Sequence, residues 1–206
     1  MTDIKYVILA GPQAAGKSTL ARRICSQYPA IISLEESRQV IVHKYQRKGA
    51  IFMTDLDEIE VVHHDMTRMF TILGKGSRNH LYLDETNVFT LGHAQAHGID
   101  LVEGYFKQYY DLLVRLKTGI IFVDIPPDIS WERRQHRYVQ RHWDLKDEER
   151  QQILERHKTY LERLYPALLA IYDRLDFPKV KIDGMLRPED TFRAAKQMFC
   201  HLQDEV

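Results

Sequence analysis

Two hydrophobic periods alternate along the chain. Tyr6-Val7-Ile8-Leu9-Ala10 is a short unbroken apolar run, the pattern of a strand covered on both faces. Leu20, Ile24 and Tyr28 follow at spacing four, one face of a helix, and Pro29 breaks it. Ile31-Ile32-Ser33-Leu34 predicts a second strand, and a helical pattern through Val40, Ile41 and Tyr45 runs to Gly49. Residues 50–54 predict a loop. Leu56, Ile59, Val62, Met66, Met69, Phe70 and Leu73 recur at three and four, which predicts a long amphipathic helix, and the cluster 74–79 predicts a turn. Leu81-Tyr82-Leu83 is a short strand running into Asp84-Glu85-Thr86-Asn87. Apolar positions from Leu101 to Leu116 mark another helix, and Gly119–Val123 a fourth strand stopped by Pro126-Pro127. A charged helical segment spans Asp128 to about His142. The next helix places Ile153, Leu154, His157, Leu161 and Leu164 on one face, with Pro166 interrupting or kinking it. Val180–Ile182 is a fifth strand, and Pro188 opens a last helix carrying Phe192, Ala195, Met198, Phe199 and Leu202.

Strands alternating with helices predict an α/β fold, with a central five-stranded parallel sheet between two helical layers. There is no repeat, low-complexity segment or linker, so residues 1–206 are expected to form one domain. Ligands of such sheets bind beyond the carboxyl ends of the strands. Gly11, Glu35, Asp84 and Asp124 stand at or just past those ends and are expected to line one rim.

Between the first strand and first helix lies Gly11-Pro12-Gln13-Ala14-Ala15-Gly16-Lys17-Ser18-Thr19, which matches G-x-x-x-x-G-K-[ST] throughout. Glycines let such a loop pass close to phosphate oxygens, and its N–H groups and the helix N-terminus present positive charge. Lys17 then reaches the β- and γ-phosphates and the Ser18 hydroxyl sits on Mg²⁺. ATP with Mg²⁺ is the expected cofactor pair.

Four further groups on the rim suit phosphoryl transfer, three of them with a plainer alternative. Glu35 and Arg38 lie three apart, so a carboxylate accepting a proton could stand beside a cation holding the acceptor, with Glu36 as substitute for Glu35. The alternative is a helix-start acid beside a solvated arginine. Asp84 ends an apolar run, suiting a carboxylate in the Mg²⁺ shell, or it caps the next segment. Asn87 could orient an acceptor. Arg133, Arg137 and Arg141 share a helix face at spacing four and repel one another unless an anion sits between them. A triphosphate supplies that anion, whereas later acids such as Asp147–Glu149 would pair a merely solvated face. Arg134 is expected to point elsewhere. The ten histidines form no defensible metal site.

Charge is balanced, with 29 basic and 29 acidic residues, which argues against a dedicated nucleic-acid binder while leaving a local basic groove open. The two cysteines, Cys25 and Cys200, suit no metal spacing and read as free intracellular thiols. The first residues resemble no signal peptide, and no apolar run is long enough for a bilayer. A cytoplasmic protein is expected, without a membrane partner. Neither a monomer nor a homodimer is singled out.

From Tyr6 to about Gly184 the pattern resembles the P-loop kinases of nucleosides and nucleotides. Glu35-Glu36-Ser37-Arg38 is similar to an element of polynucleotide kinases and nicotinamide-riboside-kinase-like domains. Val123-Asp-Ile-Pro-Pro127 followed by Glu132, Arg133 and Arg137 resembles the strand-to-lid passage of thymidylate and deoxynucleoside kinases, and Lys181-Ile-Asp183-Gly184 their adenine-flanking segment. The resemblance implies Mg·ATP as donor, a nucleoside or nucleotide acceptor, and an arginine-bearing lid at about 128–150. Thymidylate and deoxynucleoside kinases follow the acid after the third strand with arginine; here Glu85 follows Asp84. Asp84-Glu85-Thr86-Asn87 is loosely similar to the Asp-x-Thr-Asn stretch of polynucleotide-kinase-like enzymes, so a 5′-hydroxyl end stays open as acceptor. An ATPase using Asp84 on Mg²⁺ and Glu85 on water is a rival reading, as is a module binding nucleotide as a regulator.

Overall fold

The computed structural model describes residues 4–47, 50–75 and 80–202. Five strands, β1 (Tyr6–Ala10), β2 (Ile31–Leu34), β3 (Leu81–Glu85), β4 (Thr118–Asp124) and β5 (Lys179–Asp183), form one sheet in the order β2-β3-β1-β4-β5. Every pairing is parallel, with Ile8 opposite Asp84 and Ile120, and Leu9 opposite Glu85 and Ile121. The helices are α1 (Lys17–Gln27), α2 (Ser37–Lys44), α3 (Asp55–Lys75), α4 (Thr90–Ala96), α5 (Val102–Arg115), α6 (Pro127–Arg141), α7 (Asp147–Arg174) and α8 (Pro188–Ala195).

Alternation along β1 divides the core in two. Tyr6, Ile8 and Ala10 pack with Met66 and Met69 of α3, Leu112 and Leu113 of α5, and Leu164 and Leu168 of α7. Val7 and Leu9 pack on the other face with Leu20 and Ile24 of α1 and Phe192 of α8. The result is the expected three-layer arrangement. The chain builds β2 and β3 on one side of β1 and then crosses to β4 and β5, so the crevice of the sheet opens at the carboxyl end of β1.

Four local expectations change. The segment after Asn87 folds into a 3₁₀ turn and the short helix α4, whose Gly92 lets it lie against α7: a Cβ there would stand 3.3 Å from the Ala167 carbonyl. Residues 50–52 form a 3₁₀ turn rather than open loop. Pro166 lies inside α7, which continues to Arg174. Gly74 and Lys75 belong to α3; the rest of the expected turn, 76–79, and Gly49 lie outside the described residues. Cys25 is a free thiol, while nothing is described for the side chain of Cys200.

Candidate active site

The loop after β1 owes its shape to two glycines and one strained residue. Gly11 has φ +136°, and a Cβ there would lie 2.1 Å from the Val123 carbonyl oxygen of β4, so only glycine fits. Gly16 turns the chain into α1 at φ +94°, and Ala14 sits at φ +61°. Lys17 and Ser18, at the start of α1 where the leading N–H groups lack an intrahelical acceptor, line the same cleft. Lys17 Nζ donates to the carbonyls of Gly11 (2.8 Å) and Pro12 (2.9 Å). Burial holds its pKa below the ordinary lysine value, and Glu36 and Glu85 act against that shift.

The acid beside Ser18 is Glu85. The Ser18 hydroxyl donates to Glu85 Oε2 at 2.9 Å. Asp84, expected on the metal, has its carboxylate in the core, where it accepts from Tyr6 Oη, from Arg68 Nη2 (2.7 Å) and from Asn87 Nδ2 (2.9 Å). The reason is the pleat. Leu81, Leu83 and Glu85 project toward the α1 layer, whereas Tyr82 and Asp84 project toward α3. Asn87, expected at the acceptor, is likewise buried, donating to Tyr6 Oη (3.0 Å) while its Oδ1 accepts from the Val88 N–H. Asp65, beneath, accepts from Arg68 (2.9 Å), Tyr109 Oη (3.0 Å) and Ser37 Oγ. Burial raises the pKa of both acids, that of Asp65 to about 7, with Asp84 adding to the rise at Asp65. Burial also raises that of Glu85, against the pull of Lys17.

At the end of β2 it is Glu36, and not Glu35, whose side chain lines the cleft. Glu35 is exposed, and Arg68 Nη1 donates to its backbone carbonyl. Glu36 turns inward, lines the cleft with Lys17, and accepts from Thr86 Oγ1 at 3.0 Å. Thr86 itself takes φ +83°, a costly conformation for a β-branched residue. Arg38 also lines the cleft, but its two terminal nitrogens form a fork with the Glu58 carboxylate, both side chains being buried. Its Nε has no partner among the described residues.

Helix α6 lies across the loop and is tied to it. Ser130 Oγ donates to the Gln13 carbonyl (2.6 Å), and Arg134 and Tyr138 Oη both donate to Gln13 Oε1, the latter at 2.7 Å. Arg134, expected to point away, is therefore at the loop. Arg133 Nη1 reaches the carbonyls of Ala14 (3.3 Å) and Gly184 (3.2 Å). Arg137 and Arg141 continue the row along the cleft. Sequence reasoning missed Arg68, Glu85 as the partner of Ser18, and Arg134. The signal for Glu85 was present in the period-two run Leu81, Leu83, Glu85.

These residues enclose a cleft of about 770 Å³ running from the loop to α2, α6 and α7. A second hollow of about 240 Å³ adjoins it, between Thr19, Arg133, Gly184, Leu186 and Pro188. Among the described residues no cluster of three or more His, Cys, Asp or Glu could hold a metal alone, and no helix is long and apolar enough to cross a membrane.

No protein-family model matches the chain, and no curated protein does. Solved structures do. The deoxyadenosine kinase from M. mycoides with bound dATP is similar over 95% of this chain and 99% of that one, with TM-score 0.58 at 14% identity. The same enzyme with the products dCMP and a flexible dCDP gives TM-score 0.60 at 13% identity, over 96% of this chain and 99% of that one. With dCTP it gives 0.57 at 15% identity, over 95% and 99%. The chain thus shares its three-layer α/β/α fold with these structures.

Proposed function

We propose that the protein moves the γ-phosphoryl group of ATP to a hydroxyl of a nucleoside-class acceptor. The observation that carries this reading is the convergence on Lys17 of two acids with separate partners, Glu85 on Ser18 and Glu36 on Thr86, within one arginine-lined cleft. The loop amides and Lys17 hold the donor phosphates. The smaller hollow, beside Gly184 and Pro188, takes the adenine. Ser18 and Glu85 supply hard oxygen donors on one side only, which fits Mg²⁺, an ion that keeps waters and phosphate oxygens as its remaining ligands. Bound there, Mg²⁺ neutralises phosphate charge.

In the transfer, the acceptor oxygen bonds to the γ-phosphorus as the bond from phosphorus to the β–γ bridging oxygen breaks. ADP leaves, and the hydroxyl proton passes to Glu36. Arg137 meets the charge on the transferring oxygens, and Arg133 and Arg134 hold the lid helix to the loop. A carboxylate at Glu36 would have little to do in transfer to a phosphate, which brings no proton that must be removed. That favours a hydroxyl acceptor.

The ATPase reading needs Asp84 and Glu85 side by side at the metal; the three hydrogen bonds on Asp84 inside the core argue against it. ADP release in the presence of nucleosides, nucleoside monophosphates and 5′-hydroxyl oligonucleotides is the test. A kinase gives release that depends on one of these acceptors; rapid release unchanged by all of them would establish an ATPase instead.

A further inference from the structure

The Glu36 carboxylate is held by groups that do not themselves line the cleft. Glu36 stands at the hand-over from β2 to α2 with extended backbone (φ −63°, ψ 118°), and its side chain makes no capping bond to its own helix. A short acid at a helix start ordinarily turns back onto the first N–H groups; this one reaches across to Thr86 instead. The residues on either side of it are both tied to α3. Arg68 Nη1 donates to the Glu35 carbonyl, and Ser37 Oγ donates to Asp65 Oδ1. Arg68 Nη2 joins the two ties, donating to Asp65 at 2.9 Å and to Asp84 at 2.7 Å. Tyr109 Oη closes the far side of Asp65 at 3.0 Å.

A third tie runs through Thr86. Its φ of +83° is strained, and a strained residue keeps its conformation only where its surroundings over-determine it. Here Asn87, next in the chain, donates to Asp84 Oδ2 at 2.9 Å, and the Thr86 N–H donates to the Leu9 carbonyl at 3.2 Å. All three ties on Glu36 therefore lead back to one cluster, Asp65, Arg68 and Asp84. Two carboxylates, 1% and 0% exposed, around one guanidinium are a poor source of stability, since desolvation offsets most of the attraction. What such a network supplies is a single fixed arrangement. Resting on the assignment of Glu36 as proton acceptor, we infer that Ser37, Asp65 and Arg68 are positioning residues for the transfer: they lock residues 35–37 so that the Glu36 carboxylate, and not that of Glu35, faces the acceptor hydroxyl. A carboxylate displaced by about 1 Å loses much of its rate advantage.

The experiment is a double-mutant cycle between Ser37→Ala and Glu36→Gln. It is read as ADP release from Mg·ATP with nucleosides, nucleoside monophosphates and 5′-hydroxyl oligonucleotides, kcat being taken on the best of these. Work at pH 8, above the Asp65 value of about 7, keeps that acid ionised. Ser37→Ala alone should lower kcat by about 10–100-fold, with the Kd for Mg·ATP within about twofold of wild type. In Glu36→Gln the same change should cost less than about twofold, because a displaced glutamine forfeits no proton transfer. A merely structural role lowers the active fraction by the same factor in both backgrounds. Ser37→Thr, which keeps the hydroxyl, should recover most of kcat. Arg68→Lys is the second arm should Ser37→Ala fold poorly. It keeps a cation between the acids, but a single ammonium does not reproduce the fork that also reaches the Glu35 carbonyl, so its loss of kcat should depend on Glu36 in the same way. Wild-type kcat in both Ser37→Ala and Arg68→Lys, or equal losses in the two backgrounds, overturns the inference and leaves Glu36 as the proton acceptor. Full activity in Glu36→Gln itself sinks that assignment, and the positioning role with it.

Discussion

Arg68→Met removes the guanidinium that bridges two buried carboxylates. Asp65 is 1% exposed and Asp84 0%, and Arg68 Nη2 touches both, at 2.9 and 2.7 Å. Breaking a buried pair by deleting one partner costs about 3–5 kcal/mol, because the remaining charge is left in a medium that cannot solvate it. At this chain length, each kcal/mol lowers Tm by roughly 2–4 °C, so a loss of about 6–20 °C is expected near neutral pH. The loss must depend on pH. Without Arg68 the folded-state pKa of the carboxylates rises further above the unfolded value, so the native state binds more protons than the unfolded one. Stability then falls as pH rises. Thermal unfolding followed by circular dichroism at pH 5 and pH 8, with wild type alongside, measures this directly. The deficit of Arg68→Met should be larger at pH 8 than at pH 5. A deficit under 2 °C, or one equal at both values, would show that the two acids do not depend on the arginine.

The wild type should show a milder form of the same dependence. Asp65, raised to about 7 in the fold, contributes stability that is fully present below the unfolded value of about 3.9 and is lost as pH rises through 7, which chemical denaturation across that window will reveal. Gly11→Ala drives a methyl group against the Val123 carbonyl, so Mg·ATP affinity by calorimetry should fall at least about tenfold as the loop shifts. Glu85→Gln should raise the Mg²⁺ concentration for half-maximal turnover by about 10-fold or more, whereas Asp84→Asn should act on stability and leave that midpoint near wild type. Arg137→Ala should lower kcat more than it raises the Kd for ATP, with lysine restoring activity only in part, because a point charge does not reproduce the planar fork.

The sheet, its layers and the end that carries the cleft were legible because they rest on period and position. Apolar runs of strand length alternate with helical spacing, and the glycine-rich loop joins the first such pair. Side-chain placement on the rim was less legible, and each departure in position has a local cause. Glu35 and Glu36 are neighbours at a strand-to-helix hand-over, where one residue of register decides which faces the cleft; that register is set by Arg68 holding the Glu35 carbonyl and by Thr86 reaching Glu36. Asp84 and Glu85 differ only by the pleat, and the alternation of Leu81 and Leu83 carried the answer. Arg38 and Asn87 have the residue types of a binding site, but Glu58 takes the terminal nitrogens of one and Tyr6 with Asp84 the amide of the other; partners from distant segments are invisible to spacing. Arg134 lies off the face shared by Arg133, Arg137 and Arg141, yet Gln13 of the loop comes up to meet it.

The proposed transfer requires Glu36, not Glu35, to receive the acceptor's proton. Acceptor-dependent ADP release should be measured for Glu35→Gln and Glu36→Gln side by side, with Mg·ATP affinity determined for each. The geometry predicts that Glu36→Gln loses about 10²-fold or more in kcat at nearly unchanged ATP affinity, while Glu35→Gln, at an exposed position held through its backbone carbonyl, stays close to wild type. A large loss at Glu35→Gln with Glu36→Gln active would contradict it.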